Sequence, residues 1–170
     1  LGANCTIIFT STKTISANTT INNTSGFTVA FNGGGTVQLF TVNSATSLTL
    51  DNLTLRNSDL SSSDGGAIYA SDSPLLSINK VIFEDNNATF GIHGFGGAIY
   101  TDETPTTISN SRFINNQALN RGGAVYIVST TNIAHSITNN TFDTNSVPFG
   151  YGGAVLLDVT GATAPIVTRS

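Results

Sequence analysis

Apolar and polar residues alternate over short stretches of this chain, separated by bends rich in Asn, Ser and Gly. Phe27, Val29 and Phe31 fall on one side of an extended segment, with Thr28 and Ala30 on the other. Leu48 and Leu50 oppose Thr49 and Asp51 in the same way. A period of two carried by β-branched and aromatic residues predicts strands. No window shows an apolar period of 3.6, so negligible helix is expected.

The strands belong to a repeat. Gly-Gly-Ala-(Ile/Val) occurs at Gly65-Gly66, Gly96-Gly97, Gly122-Gly123 and Gly152-Gly153. The first three copies are followed by Phe-x-x-Asn: Phe83 with Asn86, Phe113 with Asn116, Phe142 with Asn145. Between the motifs Ile78, Ile108 and Ile137 each stand five residues before the Phe, and Leu50 stands five before Leu55. Thr36 to Val42 takes the place of a Gly-Gly-Ala strand, and a weaker unit runs from Ile7-Ile8-Phe9 through Thr20-Ile21 to Phe27-Thr28-Val29. Two linked motifs at one spacing mean stacked repeats. Three short strands in about 30 residues wind into a parallel β-helix, with turns roughly 4.8 Å apart. The expected fold is therefore an all-β, right-handed parallel β-helix of about five to six turns, formed by one domain, 1–170. Residues 1–60 form divergent turns, 61–170 carry the repeats, and the last turn, ending in Ala164-Pro165-Ile166-Val167, is incomplete.

The same pattern assigns structural jobs. Ile68, Ile99, Val125 and Val155 should stack in one inward column, and Phe83, Phe113 and Phe142 in another. The glycine pairs suit a corner where backbone passes close to backbone or needs a positive φ. The Asn of each Phe-x-x-Asn suits an amide ladder at a bend.

Composition narrows the function. Charged residues make up only 9% and the net charge is −4, without the clustered basic footprint that nucleic acid requires. Cys5 is the one cysteine, which excludes an intrachain disulfide. No apolar run long enough to span a membrane is present, and any signal or anchor is expected outside this sequence.

The paired Gly-Gly-Ala-(Ile/Val) and Phe-x-x-Asn motifs resemble the repeat signature of the polymorphic outer membrane protein family, whose passengers are autotransported surface adhesins. The chain also resembles the wider group of secreted right-handed β-helix repeat proteins of bacteria, over roughly residues 20 to 157. That likeness implies a secreted or cell-surface location and a structural or adhesive role.

The other class to weigh is a carbohydrate-active β-helix enzyme, a polysaccharide lyase or glycoside hydrolase. Such enzymes need two carboxylates across a groove, or an acidic Ca²⁺ site with a nearby base. Asp72, Asp102 and Glu103 are the candidates on one corner. Glu84-Asp85 is answered by Ile114-Asn115 and Asp143-Thr144 in later turns, so no acidic column persists. No catalytic residue is assigned, and no cofactor is expected, with Ca²⁺ near Asp72, Asp102 and Glu103 as the alternative. His93 and His135 lack ligand-spaced partners, so no metal site is expected. The variable loops carry aromatics: Phe90, His93 and Phe95 in one, Phe149 and Tyr151 in another. Solenoid insertions map to one face, often the binding face. These residues either present a contact patch or fold back over a corner. The partners expected are other surface proteins, glycans or copies of this chain. An open end would present strand edges, so end-to-end stacking into a filament is a further expectation.

Overall fold

The computed structural model describes residues 2–59, 64–89, 93–160 and 166–168. The strands form three six-stranded parallel faces, visited in the same order on every turn. The first face holds Cys5–Ile8, Val29–Asn32, Thr54–Arg56, Ile82–Glu84, Arg112–Ile114 and Thr141–Asp143. The second holds Lys13–Ile15, Phe40–Val42, Ile68–Ser71, Ile99–Asp102, Val125–Ser129 and Val155–Val159. The third holds Thr19–Asn22, Leu48–Asp51, Leu76–Asn79, Thr106–Ser109, His135–Thr138 and Ile166–Thr168. A short two-stranded ladder, Asn87–Ala88 with Gln117–Ala118, lies between the first and second faces. This is the expected all-β solenoid, with no helix among the described residues.

Its core is a set of columns. Phe40, Ile68, Ile99, Val125 and Val155 pair in register on the second face. Leu48, Leu76, Thr106 and His135 line the third. On the first, Phe83, Phe113 and Phe142 stack with ring centroids 4.8 and 4.9 Å apart and planes 3° and 11° from parallel. That separation is the coil spacing itself, so identical residues at one repeat position meet face to face. Burying each ring contributes about 2–3 kcal/mol. Phe9, Phe31 and Phe40 form a separate edge-packed group beneath the earliest coils.

Corners are set by backbone conformation. Residues with positive φ recur at corresponding bends of successive coils. Asn52, Lys80, Asn110 and Asn139 follow the third face; Asn57, Asp85, Asn115 and Thr144 follow the first. Asn and Asp tolerate this left-handed region, whereas the β-branched Thr144 is strained in it. Gly96, with φ +63°, does the same before the second face. Gly97 answers to space instead: a Cβ there would lie 2.1 Å from the Gly123 carbonyl oxygen.

At the other corner, Asn86 and Asn116 of Phe-x-x-Asn are buried and Asn145 is half-buried. Asn86 Nδ2 donates to Asn116 Oδ1 at 2.9 Å, and Asn116 Nδ2 donates to Asn145 Oδ1 at 2.9 Å. Each also donates to a carbonyl one coil back, Asn86 to Leu55, Asn116 to Phe83 and Asn145 to Phe113. Buried amides bonded on both sides tie each coil to the next.

One expectation needs correction. Phe27 does not share the inward side with Val29 and Phe31. It is 40% exposed and lies before the strand, which begins at Val29. Asn23 is the cause: its Nδ2 donates to the Phe27 carbonyl and its Oδ1 accepts from Ser25 N–H. That side-chain turn holds Phe27 out of the strand's alternation.

The inward column of the third face turns polar at Thr106 and at His135. His135 is 3% exposed, and neither ring nitrogen has a hydrogen-bond partner. Burial pushes its pKa below the usual histidine value, with the Glu103 carboxylate pulling the other way. The unfolded chain therefore binds a proton that the folded chain refuses. Stability should fall as pH drops below about 6.5, through the histidine range. Thermal melts at pH 7.5 and 5.5 should show this loss. His135→Leu, matching Leu76 two coils back in the same column, should flatten the dependence. Equal slopes for both proteins would refute it.

Candidate functional site

The outward side of the second face gathers aromatic rings. Tyr69, Tyr100 and Tyr126 occupy one register position on successive coils, one residue after the inward Ile68, Ile99 and Val125. Because strand side chains alternate, the residue after each Gly-Gly-Ala-(Ile/Val) must point outward. Tyr69 and Tyr100 stack at 5.3 Å and 20°, and Tyr100 meets Tyr126 at 5.7 Å. Phe95, just before Gly96, packs on Tyr100 at 6.4 Å and edge-on against Tyr126 at 5.3 Å. His93 packs edge-on against Phe95 at 5.4 Å.

Charged groups frame the rings. Phe95, Arg121 and Tyr151 are bridged in sequence on neighbouring coils. The Arg121 guanidinium lies 5.6 Å from both the Phe95 and Tyr126 ring centres. Its Nη1 donates to the Tyr126 hydroxyl at 2.9 Å and to Asp158 Oδ2 at 3.0 Å. Asp64 Oδ1 accepts from Phe95 N–H at 2.9 Å. Burial, then the charges of Asp102 and Asp64, push the Tyr100 phenol well above its usual range. Tyr69 shifts the same way, chiefly by burial. Asp102 is itself raised by burial and by the neighbouring Glu103 and Asp72 charges.

The acidic corner is partly committed to structure. Glu103 accepts from Thr130 N–H, Thr130 Oγ1, Thr131 Oγ1 and Ser129 Oγ. Those donors hold its carboxyl down to about 2. It serves to pin the following coil. Glu84 lies outward on the first face between Arg56 and Ile114, and Asp85 accepts from Asn115 Nδ2 at 2.5 Å, so neither joins Asp72, Asp102 or Glu103. Among the described residues no three His, Cys, Asp or Glu side chains form a metal-holding group.

The loop aromatics divide. Phe95 is half-buried among the tyrosines, and His93 is exposed beside it. Phe149 and Tyr151 are 81% and 74% exposed. Phe90 lies outside the described residues. Loop composition alone misses Tyr69, Tyr100, Tyr126, Arg121 and Asp158. The available signal was Tyr recurring directly after three of the four Gly-Gly-Ala-(Ile/Val) motifs.

Known proteins share parts of this sequence. Residues 80–102 and 110–128 match the Chlamydia polymorphic membrane protein repeat. These two segments of the parallel β-helix are thus similar to that repeat. The "Probable autotransporter YfaL" of Escherichia coli (strain K12) is 32% identical over 147 residues, covering 60% of this chain and 11% of that protein. The "Probable outer membrane protein pmp7" of Chlamydia pneumoniae is 33% identical over 114 residues, covering 62% of this chain and 12% of that protein. The chain therefore spans about a tenth of the length of these relatives. Their nature supports a cell-surface or secreted location. No solved structure matches. Among the described residues no helix is long and apolar enough to cross a membrane.

Proposed function

We propose that this chain is an adhesive, non-enzymatic segment of a surface protein, a stiff β-helical stalk whose tyrosine-lined second face makes the contact. The observation that carries the proposal is the row Tyr69, Tyr100 and Tyr126 with Phe95. Tyr69 and Tyr100 are half-buried, whereas Tyr126 is 3% exposed and packed against Phe95 and Arg121, so the Tyr69–Tyr100 edge is the part of the row open to a partner. Aromatic rings held by packing supply contact area at low entropic cost. The likeness to an outer membrane protein and an autotransporter supports a surface location for this face. Against catalysis stands the spread of the carboxylates: Glu84 and Asp85 on one corner, Asp72, Asp102 and a fully hydrogen-bonded Glu103 on another.

Beads coated with the protein should adhere to cultured epithelial cells, and Tyr69→Ser/Tyr100→Ser should abolish adhesion without lowering the melting temperature by more than a few degrees. Equal adhesion by the variant, or release of oligosaccharides from a polysaccharide panel, would overturn the reading.

End-to-end association is the second element of the proposal. Ile7 and Val167 sit in inward columns yet are 45% and 56% exposed. A further coil, from a longer chain or another copy, would cover them. Electron microscopy of the isolated chain separates the two: fibres support the copy, and single short rods refute it.

A further inference from the structure

Ring orientation and charge together narrow what the second face contacts. Sugars are held by aromatic faces open to solvent, but here the coil spacing turns ring faces toward one another. Tyr100 has Tyr69 stacked at 5.3 Å on one side and Tyr126 and Phe95 against it at 5.7 and 6.4 Å. Phe95 is further covered by Arg121 and His93. What such a ladder offers outward is ring edges and phenol hydroxyls, which suits hydrogen-bonding donors better than a sugar ring.

The charges agree. From the third coil to the sixth, the second face and its edges carry Asp64, Asp72, Asp102, Glu103 and Asp158, five of the chain's ten acidic residues. Arg121 is the one basic side chain described on that stretch, and Asp158 neutralises it. The first face instead bears Arg56 and Arg112. Uncompensated carboxylates beside low-dielectric rings concentrate negative potential on one side of the solenoid.

We propose that the occupant of this face is a basic segment of a protein partner, with Lys or Arg side chains reaching Asp64 and Asp102 across the Tyr69–Tyr100 edge. This rests on the adhesive reading above and adds the partner's chemistry to it. Guanidinium and ammonium groups supply the donors that phenols and carboxylates accept. Complementary charge of this kind chiefly sets association rate and partner choice.

The test uses a fluorescein-labelled peptide of alternating Arg and Ser, with its Glu/Ser counterpart and a labelled neutral dextran as controls, in fluorescence anisotropy. The basic peptide binds, its affinity falls as salt rises, and the controls do not bind. Asp64→Asn and Asp102→Asn, which keep one side-chain oxygen and the shape but remove the charge, each weaken binding about threefold, and about tenfold together. Glu84→Gln/Asp85→Asn removes the same charge from a different corner and leaves binding unchanged. Equal weakening by that control pair, or no weakening by the Asp64/Asp102 pair, overturns the proposal. So does dimerisation of the parent, by sedimentation, that the Asp64/Asp102 pair abolishes, since the occupant is then a second copy. The bead assay keeps the two readings apart. If Asp64→Asn/Asp102→Asn still adheres while Tyr69→Ser/Tyr100→Ser does not, the basic partner is wrong and the adhesive face stands. If both adhere, the face itself is wrong.

Discussion

Replacing Gly97 by alanine should destabilise the protein by at least about 3 kcal/mol, whereas Gly153→Ala should stay within about 0.5 kcal/mol of the parent. Both are the second glycine of the same motif, so their difference isolates what the motif responds to. A Cβ on Gly97 would sit 2.1 Å from the Gly123 carbonyl oxygen and 2.7 Å from Gln117 backbone atoms. None of these is a side chain that can swing aside. Relief requires the coils themselves to separate, which breaks the Gly97 N–H to Gly122 carbonyl bond and its neighbours. A Cβ on Gly153 would meet nothing within 4 Å. Urea unfolding of the three proteins decides the matter. Equal midpoints for the two alanine variants would mean that the glycine pair is kept for something other than close approach.

The same comparison explains which parts of this molecule could be read from its residues. Inward columns were legible because a coil repeats the same burial problem at a fixed spacing. Ile68, Ile99 and Val125 solve it alike, and so do Phe83, Phe113 and Phe142, and the strand register follows. The outward surface repeats no such constraint. Tyr69, Tyr100 and Tyr126 recur, but the next position is Leu156, so the row reads as an accident until the register aligns it. The ion pair of Arg121 with Asp158 spans 37 residues and belongs to no motif. Its partners meet only because intervening loops of unequal length still return the chain to one face. Glu103 looked like chemistry because it is acidic beside Asp102. Its actual neighbours, Thr130 and Thr131, lie on the following coil and claim its oxygens. Phe27 was misplaced for a local reason, since a side-chain turn from Asn23 overrode the alternation that its flanking residues suggest. Motifs report the contacts that repeat, and function on this scaffold sits in those that do not.

The amide ladder bears the second large effect. Asn116→Ala should cost at least about 3 kcal/mol, well beyond the value of any one hydrogen bond. The Asn116 side chain is fully buried and engages four groups. Its Oδ1 accepts from Asn86 N–H at 3.1 Å and Asn86 Nδ2 at 2.9 Å. Its Nδ2 donates to the Phe83 carbonyl at 3.1 Å and Asn145 Oδ1 at 2.9 Å. Alanine removes all four at once and strands Asn86 N–H, itself buried, without a partner. Each unmet buried polar group costs about 1–3 kcal/mol, though in a linked network the losses do not simply add. Asn145→Ala should cost less, because that side chain is half-buried and water reaches the groups it abandons. Asn116→Asp offers a sharper check. It keeps an acceptor for Asn86 but loses both donated bonds and buries a charge, so it should be destabilised at pH 7 and partly recover in mild acid as the carboxyl takes up a proton. Denaturation midpoints across this set should rank parent, Asn145→Ala, then the two Asn116 variants. A near-neutral Asn116→Ala would mean that the phenylalanine column beside it holds the coils in register unaided.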